Sequence, residues 1–194
     1  MTDELVPQNT PVKKEKGFFR EIFEFTVIAL VIIVPFRLFI AQPYLVNGAS
    51  MDPSFETGDY LIVDQLSYRF EKPARGSVII FKYPNNPSVY FIKRVIGLPN
   101  ETVVINGSQI TIKDTAHPEG FVLDEPYVES RASDTINVTL GTDEYFVMGD
   151  NRAASSDSRA WGPLKAKFIT GRPVVRLTPL NKIGILPGNH TFSE

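Results

Sequence analysis

The chain of 194 residues contains no cysteine. Disulfides, thiol catalysis and cysteine-ligated zinc are excluded in one step. Histidine is nearly as scarce. His117 and His190 are the only two, in the loop-like contexts TAHPEG and PGNHTF, and neither belongs to an H-x-x-H or H-E-x-x-H pattern. Metal-hydrolase chemistry is therefore not expected, and no metal or organic cofactor is implied. No D-[ST]-G pair marks an aspartic dyad. A large charge imbalance is missing too: the net charge of −2 gives no reason to expect nucleic acid as a partner. With 43% apolar and 22% charged residues, the chain is neither disordered nor a polytopic membrane protein. Fifteen prolines and thirteen glycines point to many turns.

One long apolar run is present. Ile22–Ala41 reads IFEFTVIALVIIVPFRLFIA, and twenty helical residues cover about 30 Å, the thickness of a bilayer's hydrocarbon core. Its two charges, Glu24 and Arg37, each lie about a turn from an end, where long side chains reach the headgroups. A cleavable leader has a shorter apolar region and a small-x-small site, and a core helix has to hide every face in a small domain. The run therefore reads as one uncleaved transmembrane helix. Lys13, Lys14, Lys16 and Arg20 precede it, whereas no Lys or Arg occurs between Gln42 and Tyr68. The positive-inside rule puts a tail of residues 1–21 in the cytoplasm and residues 42–194 outside.

Beyond the span, segments rich in Val, Ile, Tyr and Phe recur between turn signals: 60–63, 77–83, 89–96, 102–105, 109–112, 144–148 and 174–177. In TVVINGSQITI, Asn106-Gly107 fits a two-residue type I′ hairpin turn. The expected fold is mainly β, a compact twisted antiparallel domain of two sheets or a partly open barrel, preceded by the one helix. The polar, turn-rich stretch 114–142 reads as a small insertion.

With cysteine absent and histidine poorly placed, the remaining hydrolase chemistry is a serine activated by a lysine, which must be neutral to act as base. Burial among apolar groups lowers a lysine's pKa. In SVYFIKRVIGLP, alternation sets Lys93 on one face with Phe91 and Val95, and Ile92, Arg94 and Ile96 on the other. On pattern alone Lys93 is either such a base or a solvated strand lysine; Arg94, always charged, is no base. Ser50, in VNGASMDPSFETGD, is either a nucleophile just outside the bilayer or, with Asp52, a capping-turn residue. GDNRAASSDSRAWGPL is either a polar surface loop or a constellation tied down by Trp161, with Asp157 able to pair Arg159 and Ser155 able to orient a lysine.

Together the pieces NGASMDPSF, RGSVIIFKYP, FIKRVIGLPNE, GDNRAASSDSRAWG and GRPVVRLTPLNKIG, in this order after an N-terminal apolar run, resemble the bacterial type I signal peptidases (leader peptidases). The resemblance covers nearly everything beyond the tail. It implies a membrane-bound serine endopeptidase of the cytoplasmic membrane that removes signal peptides from exported preproteins after small-x-small sites. Ser50 is the implied nucleophile and Lys93 the general base. Ser155 is implied to hydrogen-bond the lysine, with Asp150, Asp157 and Arg159 bracing the site. Substrate is expected as an extended strand beside Val46–Ala49 and the Lys93 strand, its small side chains in pockets lined by Val46, Asn47, Phe91 and Ile92. The other implied partner is membrane lipid, and no feature specifies an oligomer. Two departures stand out. Gly48 occupies a position where some members carry a serine that assists the oxyanion hole, leaving the Ser50 N–H and an unidentified second donor. Asn100 and Glu101 replace a commoner Gly-Asp in a turn. The short gap between the Lys93 motif and Gly149 leaves no room for a large accessory domain. Rival readings are a self-cleaving repressor-type Ser–Lys peptidase and a membrane-tethered β module without catalysis.

Overall fold

The computed structural model describes residues 17–35, 41–130 and 132–192. Helix α1 (Phe18–Pro35) takes in the first two thirds of the apolar run. Its 18 residues span about 27 Å, and its large apolar side chains are exposed. Among the described residues no helix is long and apolar enough to cross a membrane. The tail before Gly17, and residues 36–40 with Arg37, lie outside the described residues. The span's expected last residue, Ala41, instead opens strand β1 (Ala41–Leu45), where Gln42 and Pro43 end the apolar pattern and the backbone pairs with the next strand.

That next strand is β2 (Tyr60–Asp64), followed by β3 (Val78–Tyr83), β4 (Asn86–Gly97), β5 (Thr102–Gly107), β6 (Gln109–Lys113), β7 (Phe121–Val122), β8 (Asp134–Thr139) and β9 (Glu144–Met148). A short helix α2 (Ser158–Trp161) precedes β10 (Leu164–Lys165), β11 (Ile169–Thr178) and β12 (Gly184–Ile185). All seven expected strands are present, and all pairings are antiparallel. The larger sheet runs β1-β2-β11-β3-β4-β9-β10, with β12 on β11; the smaller runs β7-β6-β5-β8.

Strand alternation divides the core. In β3, Val78 and Ile80 join Val46, Met51, Phe55, Leu61 and Val63 on one side. Ile79 and Phe81 join Val95, Tyr145, Val147 and Leu164 on the other. The smaller sheet closes over a third cluster in which its isoleucines meet Ile96, Phe146 and Met148.

Two local expectations are corrected. Asn106 pairs with Gln109, so the tight turn is Gly107-Ser108, one residue later than expected. Gly107 takes φ +63° and Ser108 a negative φ, the glycine-first pattern of a II′ rather than a I′ turn. The stretch 114–142 contributes β7 and β8, and β8 pairs with β5 over six residues from Asp134 to Thr139. Its sequence DTINVT alternates half-buried and exposed positions, a pattern carried by too few large apolar residues to stand out unaided.

Candidate active site

The serine lies in the loop joining β1 to β2. Val46 N–H donates to Asp59 O at 2.9 Å, and Gly58 N–H donates to Val46 O at 3.0 Å, so the loop's ends close on each other. Met51 and Phe55 are buried and pin the loop from below, one helical turn apart and linked by Phe55 N–H to Met51 O at 2.9 Å. Arg176 of β11 reaches up to it, donating to Ser54 O at 2.6 Å, facing Asp59 at 3.4 Å and lying over the Phe55 ring at 4.7 Å. The segment forms turns rather than a helix, so neither Ser50 nor Asp52 caps one. Gly48 takes φ +110°, a left-handed conformation that a serine side chain would strain. Its N–H donates to Thr57 Oγ1 at 3.0 Å.

Lys93 comes from the middle of β4, paired across the ladder with Ile79 on the apolar face predicted for it. Only 3% of it is exposed, and Nζ lies 5.1 Å from the centroid of the Phe91 ring. Nζ stands 2.7 Å from Ser50 Oγ and 2.9 Å from Ile92 O. Burial lowers the lysine's pKa from 10.5 to about 8, against the opposing pull of the Asp157 and Asp150 carboxylates. A neutral amine can accept the Ser50 hydroxyl proton while donating to the Ile92 carbonyl.

The loop after β9 holds the serine from the other side. Asn151 N–H donates to Ser50 O at 3.2 Å. Gly149 is packed so closely that a Cβ there would fall 2.2 Å from Ser50 O and 2.3 Å from Ser155 Oγ. Asp157 accepts from Gly149 N–H at 3.0 Å and from Arg159 through two bonds of 2.8 Å. Despite burial, the Arg159 guanidinium and the Gly149 N–H hold the Asp157 carboxyl below the usual carboxylate range. Asp150 pairs with Arg94 through Nε at 2.8 Å and Nη2 at 2.5 Å, on the face of β4 opposite Lys93. Asp157 and Asp150 are close enough to act on Lys93 electrostatically, and Arg159 is tied to Asp157. Ser155 does not bond the lysine: its Oγ is buried, close to Gly149, and makes no geometrically complete hydrogen bond.

Two bracing residues, Glu125 and Asp134, escaped the sequence reading; both meet arginines of the 149–164 cluster. Arg152 is buried in a two-pronged pair with Glu125, donates to Gly149 O at 3.0 Å, and its carbonyl accepts from Arg159 at 2.7 Å. Asp134, at the head of β8, accepts from Arg159 Nη1 at 2.8 Å. Glu125 and Asp134 both come from the stretch expected to be an insertion, and no spacing links them to an arginine 25 or 27 positions away.

Beside the serine opens a cavity of about 320 Å³. Val46, Asn47, Phe91 and Ile92, the four residues expected to contact substrate, all line it, together with Gly48, Ser50 and Lys93.

The family profile described as "Signal peptidase, peptidase S26" matches residues 19–178. The chain belongs to that family. It is a serine peptidase, a hydrolase, with signal peptidase I activity. "Probable signal peptidase I-1" of Synechocystis sp. is 35% identical over 192 residues, covering 95% of each chain. "Signal peptidase I" of Leptolyngbya laminosa is 38% identical over 168 residues, covering 82% of this chain and 79% of its own. A crystal structure of a signal peptidase I from Enterococcus faecalis V583 covers 53% of this chain and 97% of its own, with 30% identity and a TM-score of 0.45.

Proposed function

We propose that the chain is a membrane-anchored endopeptidase that removes N-terminal signal peptides with a Ser50–Lys93 dyad, cutting after small-x-small sites. The observation that carries this reading is the 2.7 Å contact between Lys93 Nζ and Ser50 Oγ, with the lysine buried and its pKa brought down to about 8. Neutral Lys93 takes the Ser50 proton as Oγ attacks the scissile carbonyl. The Ser50 N–H faces the developing oxyanion, and a main-chain group or water supplies the second bond, since Gly48 has no side chain to offer. The Lys93 ammonium then protonates the departing amine. A water deprotonated by Lys93 hydrolyses the acyl-enzyme and returns Ser50 to its starting state.

Substrate enters as an extended strand along the cavity, with alanine-sized side chains against Val46, Asn47, Phe91 and Ile92. Asp150, Asp157, Arg159 and Ser155 hold the loop that positions the serine. Residues 1–21 form a cytoplasmic tail, 22–40 the single membrane anchor in contact with lipid, and 41–194, from strand β1 onward, the extracytoplasmic catalytic domain. The test incubates the detergent-solubilised protein with a preprotein. Wild type should release the mature chain, whereas Ser50→Ala and Lys93→Arg should not, arginine being permanently charged. Appreciable cleavage by Ser50→Ala removes the serine from the mechanism. Cleavage of the enzyme alone points to a self-processing peptidase, and an uncut preprotein to a binding module.

A further inference from the structure

A second cavity, of about 340 Å³, lies on the far side of Tyr90 from the serine, and Tyr90 lines both. Its volume is in the range of small-molecule sites. Three cations line it: Arg69 after β2, Lys82 at the end of β3 and Lys167 before β11. Among the described residues no carboxylate lines it, and neither Lys82 nor Lys167 has an ion-pair partner. The two lysines repel one another across the hollow, and no carboxylate among its described lining residues offsets them. Gln42 and Gln65 add amide groups, held in register by Gln65 Nε2 donating to Gln42 Oε1 at 2.7 Å. The Gln65 amide also lies 3.4 Å from the Tyr44 hydroxyl, and the Tyr44 ring packs edge-on against Tyr90 at 5.4 Å. A wall of two tyrosines and two glutamines thus separates the basic cavity from the peptidase cavity.

Chain position adds a second argument. Gln42 is the residue that follows the apolar run Ile22–Ala41. A cavity built on Gln42 is therefore tethered at the level where that run ends. If the run is anchored in a bilayer, as proposed above, that level is the phosphate layer.

We propose that this cavity binds the phosphate group of an anionic phospholipid headgroup, with Lys82, Lys167 and Arg69 as its counter-charges. The lipid as source rests on the anchor reading; the phosphate chemistry rests on the cavity alone. Bound lipid would hold β1 and the Tyr44–Tyr90 wall against the bilayer surface beside the signal-peptide cavity. The site uses none of the residues assigned to catalysis, so its failure and a failure of the dyad are separable.

The experiment uses the full chain in a neutral detergent and follows the Gln65 side-chain amide by NMR. Inorganic phosphate, dihexanoyl phosphatidylglycerol, dihexanoyl phosphatidylcholine and an acidic peptide are titrated in turn. The phosphatidylglycerol should saturate the shift, and the K82Q/K167Q double variant should bind it about tenfold or more weakly, since two charge-assisted contacts are lost. Saturation by inorganic phosphate as well supports a site for the phosphate group itself; saturation by phosphatidylglycerol without inorganic phosphate supports the lipid as source. The proposal is overturned if phosphatidylglycerol does not saturate, if phosphatidylcholine binds equally well, if only the acidic peptide binds, or if the double variant binds like wild type. Both lysines are exposed, so the double variant keeps the fold.

Discussion

The depressed pKa of Lys93 makes a quantitative demand on the pH dependence of cleavage. At a pKa of about 8, roughly one lysine in ten is neutral at pH 7; at the ordinary 10.5 it would be about one in three thousand. Burial thus raises the working fraction about 300-fold, and kcat/KM for a signal-peptide substrate should climb tenfold per pH unit below pH 8 and level off above it. Phe91→Ala tests the cause. The Phe91 ring is 5.1 Å from Nζ and supplies one wall of its apolar surroundings. Removing it admits water, which favours the ammonium and moves the pKa up. It also removes a ring face that stabilises the ammonium, which moves the pKa down. For a desolvated ammonium that second effect is worth about 2 kcal/mol. The shift due to burial corresponds to about 3 kcal/mol, so desolvation wins by about 1 kcal/mol and the midpoint should rise by about 0.7 pH unit. Activity at pH 7 should then fall about fivefold more than the plateau does. Phe91 also lines the substrate cavity, so the plateau height drops for a separate reason, whereas the midpoint reports the lysine alone. A midpoint that stays put or moves down in Phe91→Ala refutes burial as the source of the lysine's lowered pKa.

Three further outcomes are expected. Lys93→Met should stabilise the fold by about 3 kcal/mol at pH 7, because the folded state must otherwise keep a buried ammonium. Between about pH 8 and 10.5 the unfolded chain binds the extra proton, so wild-type stability rises with pH and the advantage should shrink to nothing; chemical denaturation at pH 7 and 10.5 measures both. Gly149→Ala places a methyl 2.2 Å from Ser50 O, a backbone atom, and should cost about 1–3 kcal/mol and on the order of 100-fold in kcat by displacing the serine; an unchanged kcat would show that Gly149 does not set the serine's position. Glu125→Ala leaves Arg152 charged and unpaired in the interior and should destabilise by about 3–5 kcal/mol in denaturant titrations, with the Glu125→Met/Arg152→Met pair costing less.

The sequence by itself determined the strand-rich fold, because Val, Ile, Tyr and Phe clusters between turns leave few other ways to bury apolar surface. The lack of cysteine and the two stray histidines narrowed the hydrolase chemistry to a serine with some other base, and Lys93 has apolar neighbours alternating with it along one strand. The resemblance of five ordered motifs, not elimination, is what singled out Ser50 and Lys93 as a proposed pair. These are local properties, and they fold as they read. Ser50 and Lys93 lie 43 positions apart, and only the packing of the β1–β2 loop over β4 decided that their side chains meet. The same holds for the bracing of the site. Glu125 and Asp134 have no local pattern to mark them. Their value comes from buried arginines brought to them by the β5–β8 pairing and the loop after β9. Gly48 shows both sides: its identity stands in the sequence, but only a φ of +110° explains why a side chain there would be strained. The basic cavity beside Tyr90 is likewise tertiary, since Arg69, Lys82 and Lys167 are ordinary surface cations in the sequence and share one hollow only because β2, β3 and β11 bring their ends together.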